Sequence, residues 1–327
     1  MPKDRYKFYK RNPKLRLIEL KKFRDVLSRI LFLEFLFVKK FIIMIILIKS
    51  KEGILKKVGF LGPKGTFSDE AHRIYYKDKE IEPIEYMTIN DAIFALEKEE
   101  IQEAIVPIEN SLEGSVSATL DMISTSDLNI ISEIIIPIKL NLMARIGVKK
   151  QEIKTIYTHP QPVGQCRNYL TKNFNNVNIA YTDSTTLGAK LVLESKDICG
   201  AIGAQNMAQI YGIEILEYNI SDNDNNETRF IVLSKGTIKR TGSDKTSIVF
   251  SSEDKPGSLY KILDIFSLWD INLTKIESRP SKEKLGQYIF FADMEGHIED
   301  QDVLDALTMI QRKTSFYKFL GSYPKYV

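Results

Sequence analysis

Between Lys57 and Ser234, short apolar runs rich in β-branched residues alternate with segments whose apolar residues recur at helical spacing. Strands that alternate with helices use the helices as crossovers, so this pattern confines the chain to an α/β layer fold with mainly parallel pairing. Val58–Leu61, Ala104–Pro107 and Ile130–Ile136 read as strands. The texture then repeats, with strands at Thr155–Tyr157, Ile179–Tyr181, Ile198–Ile202 and Arg229–Ser234. Helices are predicted from a Ser68 cap through Tyr76, from an Asn90 cap through Glu99, and over Val163–Asn173, Leu187–Ser195 and Asn206–Tyr211. A two-lobed body with a cleft accommodates both halves. Gly236–Lys245 has two glycines and three Lys/Arg and reads as a linker. Beyond it the order is strand Ser247–Ser252, helix Ser258–Trp269, strand Leu273–Ser278, strand Gln287–Met294, helix Asp302–Lys313 and strand Tyr317–Ser322. That βαββαβ order predicts a ferredoxin-like sandwich.

Composition removes several classes. A hydrophobic content of 43% with 27% charged residues in 327 residues is that of a globular chain of two or three domains. It is unlike a disordered, collagenous or multi-span membrane protein. Cys166 and Cys199 are the only cysteines, too few for a disulfide framework or a four-cysteine zinc site, and a reducing, cytoplasmic setting is expected. His72, His159 and His297 lie far apart without ligand spacing, so neither a metal nor a cofactor is expected.

The net charge of +3 conceals an asymmetry. Residues 1–57 hold 17 Lys/Arg against 5 Asp/Glu, and the remainder holds 29 against 38, so nothing after the N-terminal segment suggests a nucleic-acid partner. Apolar residues run from Ile30 to Val38 and from Phe41 to Ile48, interrupted by Glu34, Lys39 and Lys40. A helix from Lys14 to Lys49 fits this segment better than a membrane span or a secretory signal. Three readings stay open: a helix packing on the body or a membrane surface, an extension upstream of a chain that opens at Met44, and a segment with its own role.

Several strand ends carry polar motifs. Gly62–Ser68 (GPKGTFS) joins a strand to a helix and offers main-chain N–H groups, with Lys64, Thr66 and Ser68 as further donors. In Val106–Val116 (VPIENSLEGSV) a buried strand runs straight into Glu109, Asn110 and Ser111. Thr158-His159-Pro160-Gln161 follows another strand end, with Gln165 and Cys166 about a turn later. Ser184-Thr185-Thr186 opens a helix, and Asn226–Phe230 (NETRF) leads into the last strand of the body. Arg229 suits a carboxylate partner, in a ligand or in the protein. Taken singly, each motif also fits a cap, a turn or a structural side chain. Cys166 reads as a small buried hydrophobe and His159 as a hydrogen-bonded structural histidine. Together the loops are rich in hydroxyls, amides and main-chain donors and poor in metal ligands and nucleophile–base pairs. Such a cleft suits a small polyanion and chemistry that needs positioning and one proton.

In combination these segments strongly resemble prephenate dehydratase. GPKGTFS, VPIENSLEGSV, THPQPVGQC at 158–166, STTLGA at 184–189, AIGAQNMAQIYG at 201–212 and NETRF occur in the family's order. KPGSL at 255–259 and ESRP at 277–280 resemble the family's C-terminal ACT regulatory domain. The resemblance implies an N-terminal extension at 1–56, a two-lobed catalytic domain like type II periplasmic binding proteins at 57–235, a linker at 236–244 and an ACT domain at 245–327. It implies conversion of prephenate to phenylpyruvate, water and carbon dioxide in phenylalanine biosynthesis, without cofactor or metal, under feedback by L-phenylalanine.

By the same resemblance Thr228, Glu109, Asn110, Thr158 and Gln165 are catalytic candidates. Thr228 assists the leaving oxygen, and Glu109 is the alternative acid if burial raises its pKa. Thr66, Ser111, Ser184, Thr185, Arg229 and Phe230 are substrate-binding candidates. Gly257, Ser258, Leu259, Glu277, Ser278, Arg279 and Pro280 are candidates for binding L-phenylalanine in a homodimer or homotetramer. Ser258 stands where the family usually has alanine, and Tyr260 follows, which bears on the effector pocket. Two alternatives remain, an arogenate dehydratase and a non-catalytic amino-acid sensor.

Overall fold

The structure, a computed structural model, describes residues 55–174, 176–282 and 287–326, together with Lys21, Arg24, Lys39 and Lys40. Residues 1–55 form one unit and 56–327 another. The expectations for the N-terminal segment lie almost wholly outside the described residues. The four that are described there are helical and exposed.

The second unit opens with β1 (Lys56–Leu61), α1 (Phe67–Tyr75), β2 (Ile81–Tyr86), α2 (Ile89–Glu97), β3 (Glu103–Asn110), β4 (Gly114–Ser115), α3 (Ser117–Thr125) and β5 (Asn129–Pro137). These make the first lobe. The chain then crosses to a second lobe, composed of β6 (Asn141–Ala144), β7 (Thr155–Thr158), α4 (Pro160–Gln165), α5 (Arg167–Asn173), β8 (Asn178–Tyr181), α6 (Thr185–Glu194), β9 (Cys199–Gly203), α7 (Asn206–Tyr211) and β10 (Glu214–Glu217). It returns as β11 (Glu227–Ser234), which inserts between β3 and β5.

The first sheet has the order β2-β1-β3-β11-β5, with β4 added on β3. The second has the order β10-β6-β9-β7-β8. β2, β1 and β3 are parallel, as are β9, β7 and β8. β11 is antiparallel to both its neighbours, and β6 is antiparallel to both of its own. Pairing is therefore mixed rather than mainly parallel, because β6 and β11, the first strands after the two lobe crossings, enter their sheets reversed. The crossings lie side by side. Ile138 N donates to Asn226 O at 2.7 Å, and Ile220 N donates to Leu140 O at 2.8 Å.

Local chemistry explains where elements begin. Thr66 and Thr88, rather than Ser68 and Asn90, cap α1 and α2, each accepting the main-chain N–H three residues on, of Asp69 and Asp91. The stretch expected as one helix over 163–173 breaks at Cys166, and Asp222 accepts from Asn168 N and Tyr169 N to start α5. β2 contains Pro83, which its place at the sheet edge tolerates.

The C-terminal part follows the expected order: β12 (Asp244–Ser251), α8 (Ser258–Leu268), β13 (Leu273–Pro280), β14 (Tyr288–Glu295), α9 (Gln301–Lys313) and β15 (Tyr317–Pro324). Its sheet is antiparallel in the order β13-β14-β12-β15. Both faces are used. Ile248 and Phe250 pack under α8 and α9 with Ile262, Phe266, Leu307 and Ile310. Val249, Phe291, Leu320 and Tyr323 share a core with Ile123, Ile130 and Ile231 of the first lobe. Two-residue periodicity thus sends alternate side chains of β12 into different cores.

His72 on α1 is buried between the rings of Phe60 and Tyr76, at centroid distances of 4.8 and 5.2 Å. Burial, only partly opposed by Asp69, pushes its pKa down from 6.5 to about 4. The folded state holds this ring neutral, whereas the unfolded chain protonates it below about pH 6.5. Its contribution to stability is complete above that pH and is lost as pH falls toward 4. We predict that urea unfolding of the wild type weakens over this window and that His72→Leu flattens that part of the profile.

Candidate active site

β3 leaves the core at Asn110 and β11 enters it at Glu227, so their polar ends pair across the sheet. Thr228 stands opposite Asn110, and Arg229 stands opposite Glu109. Successive strand residues point to opposite faces, so these two pairs separate.

The Asn110 carboxamide is fixed from both sides. Its Oδ1 accepts the main-chain N–H groups of Leu112 and Glu113, both at 2.9 Å. Its Nδ2 therefore faces Thr228 Oγ1 at 2.9 Å and Asn226 Oδ1 at 2.7 Å. Asn226, 1% exposed, donates in turn to Gln165 Oε1 at 3.2 Å, and Gln165 Nε2 reaches Glu113 Oε1 at 3.4 Å. This chain of amides runs from the first lobe, through the crossing, to α4 of the second lobe. Its consequence is chemical. Asn110 occupies a lone pair of the Thr228 hydroxyl, and no acceptor for the hydroxyl proton is found among the described residues. Thr228 is thereby presented as a donor.

On the other face, the Glu109 carboxylate lies 3.0 Å from Lys275 Nζ and 3.7 Å from Arg229. Glu109 is thus turned toward the C-terminal domain and takes no part in the amide chain. Arg229, 8% exposed, donates through Nε to Glu133 at 2.7 Å, through Nη1 to Asp293 at 2.6 Å and through Nη2 to the Tyr323 hydroxyl at 2.8 Å. Burial works against its charge, but Tyr323, Asp293 and Glu133 outweigh it and hold its pKa above the ordinary value. Asp293 shows the reverse balance. Burial would raise its pKa, yet Arg229, Ser247 and Lys245 hold it below the usual carboxylate range. Arg229, expected to contact a substrate, instead has each guanidinium nitrogen bonded to a protein group in this structure. Phe230, also expected to bind substrate, is 1% exposed in the core with Phe60, Ile105 and Ile134.

The Gly62–Ser68 loop meets the second lobe. Gly65 has φ of +94°, and a side chain there would approach Thr186 and Met207 at 3.2 Å and Tyr211 at 3.3 Å. Tyr211 Oη donates to Lys64 O at 3.3 Å, and Asn206 Nδ2 donates to Thr66 O at 3.5 Å. The loop thus lies against the start of α6. There Ser184 caps the helix by accepting from Leu187 N at 3.1 Å and pairs with the Thr186 hydroxyl at 2.9 Å. Thr66 and the Ser184–Thr185 segment are therefore brought to one place. The half-buried Thr185 hydroxyl has no partner among the described residues.

Two other candidates have structural partners. Thr158 is fully buried and donates to Ile202 O at 3.0 Å, tying β7 to β9. The Ser111 hydroxyl donates to Asn225 O at 2.9 Å and accepts Glu227 N at 3.0 Å, which fixes the entry into β11. His159 caps α4, and burial raises the Cys166 thiol to about 12. Asn226, Glu113, Asn206 and Tyr211 were not singled out from the sequence. All four sit inside the quoted motifs, but only the fold shows which of their atoms meet across the lobes.

In the C-terminal domain, Gly257, with φ of +80°, precedes α8. Gly257, Ser258 and Leu259 line a groove of about 1080 Å³ with Tyr288, Phe290 and Tyr317. The ESRP motif lies on the edge strand β13 and divides by face. Glu277 bonds Ser115, and Arg279 bonds Ser117 at 2.8 Å and Asp121 at 3.1 Å, while Ser278 and Pro280 are exposed. Glu277 and Arg279 thus engage the first lobe of their own chain.

Comparison with known proteins matches residues 58–237 to the prephenate dehydratase family and residues 246–308 to the ACT domain. A prephenate dehydratase of Methanocaldococcus jannaschii is 42% identical over 82% of this chain and 98% of its own. Arogenate dehydratase 2 of Petunia hybrida is 34% identical over 84% of this chain and 73% of its own. The structure of a prephenate dehydratase from Arthrobacter aurescens in complex with L-Phe superposes with a TM-score of 0.75 at 39% identity, covering 82% of this chain and 90% of that one.

Gly65→Ala should cost about 1 kcal/mol or more in urea unfolding, through its positive φ and its contacts with α6 and α7. Gly164→Ala in α4, where a Cβ meets open space, is the matched control and should leave stability unchanged or raised.

Proposed function

The chain belongs to the prephenate dehydratase family, and from that membership we propose how it works. It converts prephenate to phenylpyruvate, carbon dioxide and water, under feedback by L-phenylalanine. The ring carboxylate leaves as CO₂, its bonding pair moves into the ring, and the hydroxyl on the opposite ring carbon departs. One proton is consumed, and the departing oxygen leaves as water. Aromatisation drives the step, so the residues must hold two carboxylates and assist one leaving oxygen.

The observation that carries the assignment of roles is the orientation of Asn110, which leaves the Thr228 proton free to donate. A threonine hydroxyl is too weak an acid to give up a proton unaided. Thr228 acts as a hydrogen-bond donor to the developing hydroxide or relays a proton to it. Gln165 and Asn226 hold the amide chain across the lobes. With Arg229 committed to the protein, and the N–H groups of Gly62, Lys64, Gly65 and Thr66 bonded within it, the substrate carboxylates fall to neutral donors: the first main-chain N–H groups of α1 (Phe67 and Ser68), the α6 N-terminus, Thr66 and Thr185. Ser184 and Ser111 support them through the caps and turns described above. Thr158 supports the second lobe from beneath.

We further assign residues 57–235 to catalysis and 245–327 to regulation, with the groove at Gly257–Leu259 as part of the effector site. A second chain that supplies the exposed face of β13 completes that site in a homodimer or homotetramer. Both cysteines are free and buried, which agrees with a cytoplasmic setting, and among the described residues no helix is long and apolar enough to cross a membrane.

Phenylpyruvate formation from prephenate tests the reading. Thr228→Ala should lower kcat by about 10²-fold or more, and Thr228→Ser should retain much of it. Near-normal turnover by Thr228→Ala removes the assigned role. Saturating L-phenylalanine should suppress the wild-type rate. Arogenate assayed beside prephenate decides the preferred substrate, since a keto group and an ammonium group differ at the side chain.

A further inference from the structure

Arg229 is adjacent in sequence to the hydroxyl assigned to the chemistry, yet its own head lies on the opposite face of the sheet, in the contact with the C-terminal domain. Each of its nitrogens has a partner. Glu133 comes from the neighbouring strand β5, while Asp293 and Tyr323 come from β14 and β15 of the C-terminal domain. Those partners are themselves held. Lys245 bonds both oxygens of Glu133 at 2.8 and 2.9 Å, and Ser247 bonds Asp293 and the Tyr323 hydroxyl, both at 2.6 Å. All six residues are 8% exposed or less. A planar guanidinium gripped at three nitrogens cannot shift without breaking charge-assisted bonds in a buried site. The backbone that carries it, and the Thr228 carbonyl bonded to it, are constrained with it.

We propose that Arg229 is a positioning residue for Thr228, held in register by the C-terminal domain through Asp293 and Tyr323. This rests on the reading of Thr228 given above and adds a route by which the regulatory domain reaches the reacting hydroxyl without touching the cleft. Movement of β14 and β15 relative to β11 displaces the guanidinium and changes where the hydroxyl points. A role of this kind alters the chemical step more than ground-state binding.

The test is steady-state kinetics with prephenate on full-length variants whose folding is verified by near-UV circular dichroism. Arg229→Met should lower kcat tenfold or more with KM within twofold of wild type, and Arg229→Lys should recover part of the loss. Asp293→Asn and Tyr323→Phe, both remote from the cleft, should lower kcat in the same direction with KM unchanged. A folded Arg229→Met with wild-type kcat overturns the proposal, and so does a rise in KM at constant kcat, which places the guanidinium on the substrate. If Arg229→Met does not fold, Asp293→Asn and Tyr323→Phe decide, and wild-type kcat in both overturns it. A wild-type protein that does not turn over prephenate fails the functional reading instead.

Discussion

The antiparallel insertion of β11 between β3 and β5 is the constraint on which the rest of the structure depends. The chain leaves the first lobe after β5, builds the second lobe and returns through this one strand. The return closes the first sheet, brings both lobe crossings side by side and fixes the register in which Thr228 faces Asn110 and Arg229 faces Glu109. A slip of one residue would exchange the faces, placing a guanidinium toward the core of Phe60 and Ile105 and a phenylalanine among carboxylates. The cost of burying that charge without partners makes the register strongly specified.

The same alternation divides labour within the NETRF motif. Thr228 meets the amide chain, Arg229 meets the C-terminal domain, and Phe230 fills the core. The buried ion network around Arg229 adds little net stability over apolar packing of the same volume, since desolvation offsets the attraction. It serves to define how the C-terminal sheet docks, because misdocking would take Asp293 from Arg229 and Glu133 from Lys245, leaving buried charges short of their partners. Lys318 adds a second tie, donating to Ile123 O at 2.5 Å and also to Ser126 O, at the end of α3.

Much of the fold was legible in local pattern. The βαββαβ order of the C-terminal domain and the principal strands of both lobes follow from periodicity, because each has one strongly apolar face or is buried throughout. β2, β6 and β10 were not legible. β2 is a half-exposed edge strand with a proline; β6 (NLMA) has no β-branched residue, and β10 (EILE) carries a glutamate at each end instead of an alternating apolar face. Caps were misplaced by two residues at Thr66 and Thr88, where several hydroxyl or amide side chains compete and the backbone decides among them. Of the site, the motif loops were legible, as were Asn110, Gln165 and Thr228 within them. Asn226 and Glu113 were missed, since neither differs locally from an ordinary turn residue.

By itself the sequence determined which segments alternate, which loops carry hydroxyls and amides in place of metal ligands, and, through ordered motifs, the family and its chemistry. These are properties of composition, spacing and order along the chain. Tertiary structure alone decided the partners. Whether Arg229 meets a ligand carboxylate or a protein one, whether Thr158 is free or spent on Ile202, and whether Glu277 and Arg279 face outward or onto the first lobe depend on residues between 44 and 162 positions away. Such contacts follow from strand register and sheet docking, and a local window contains neither.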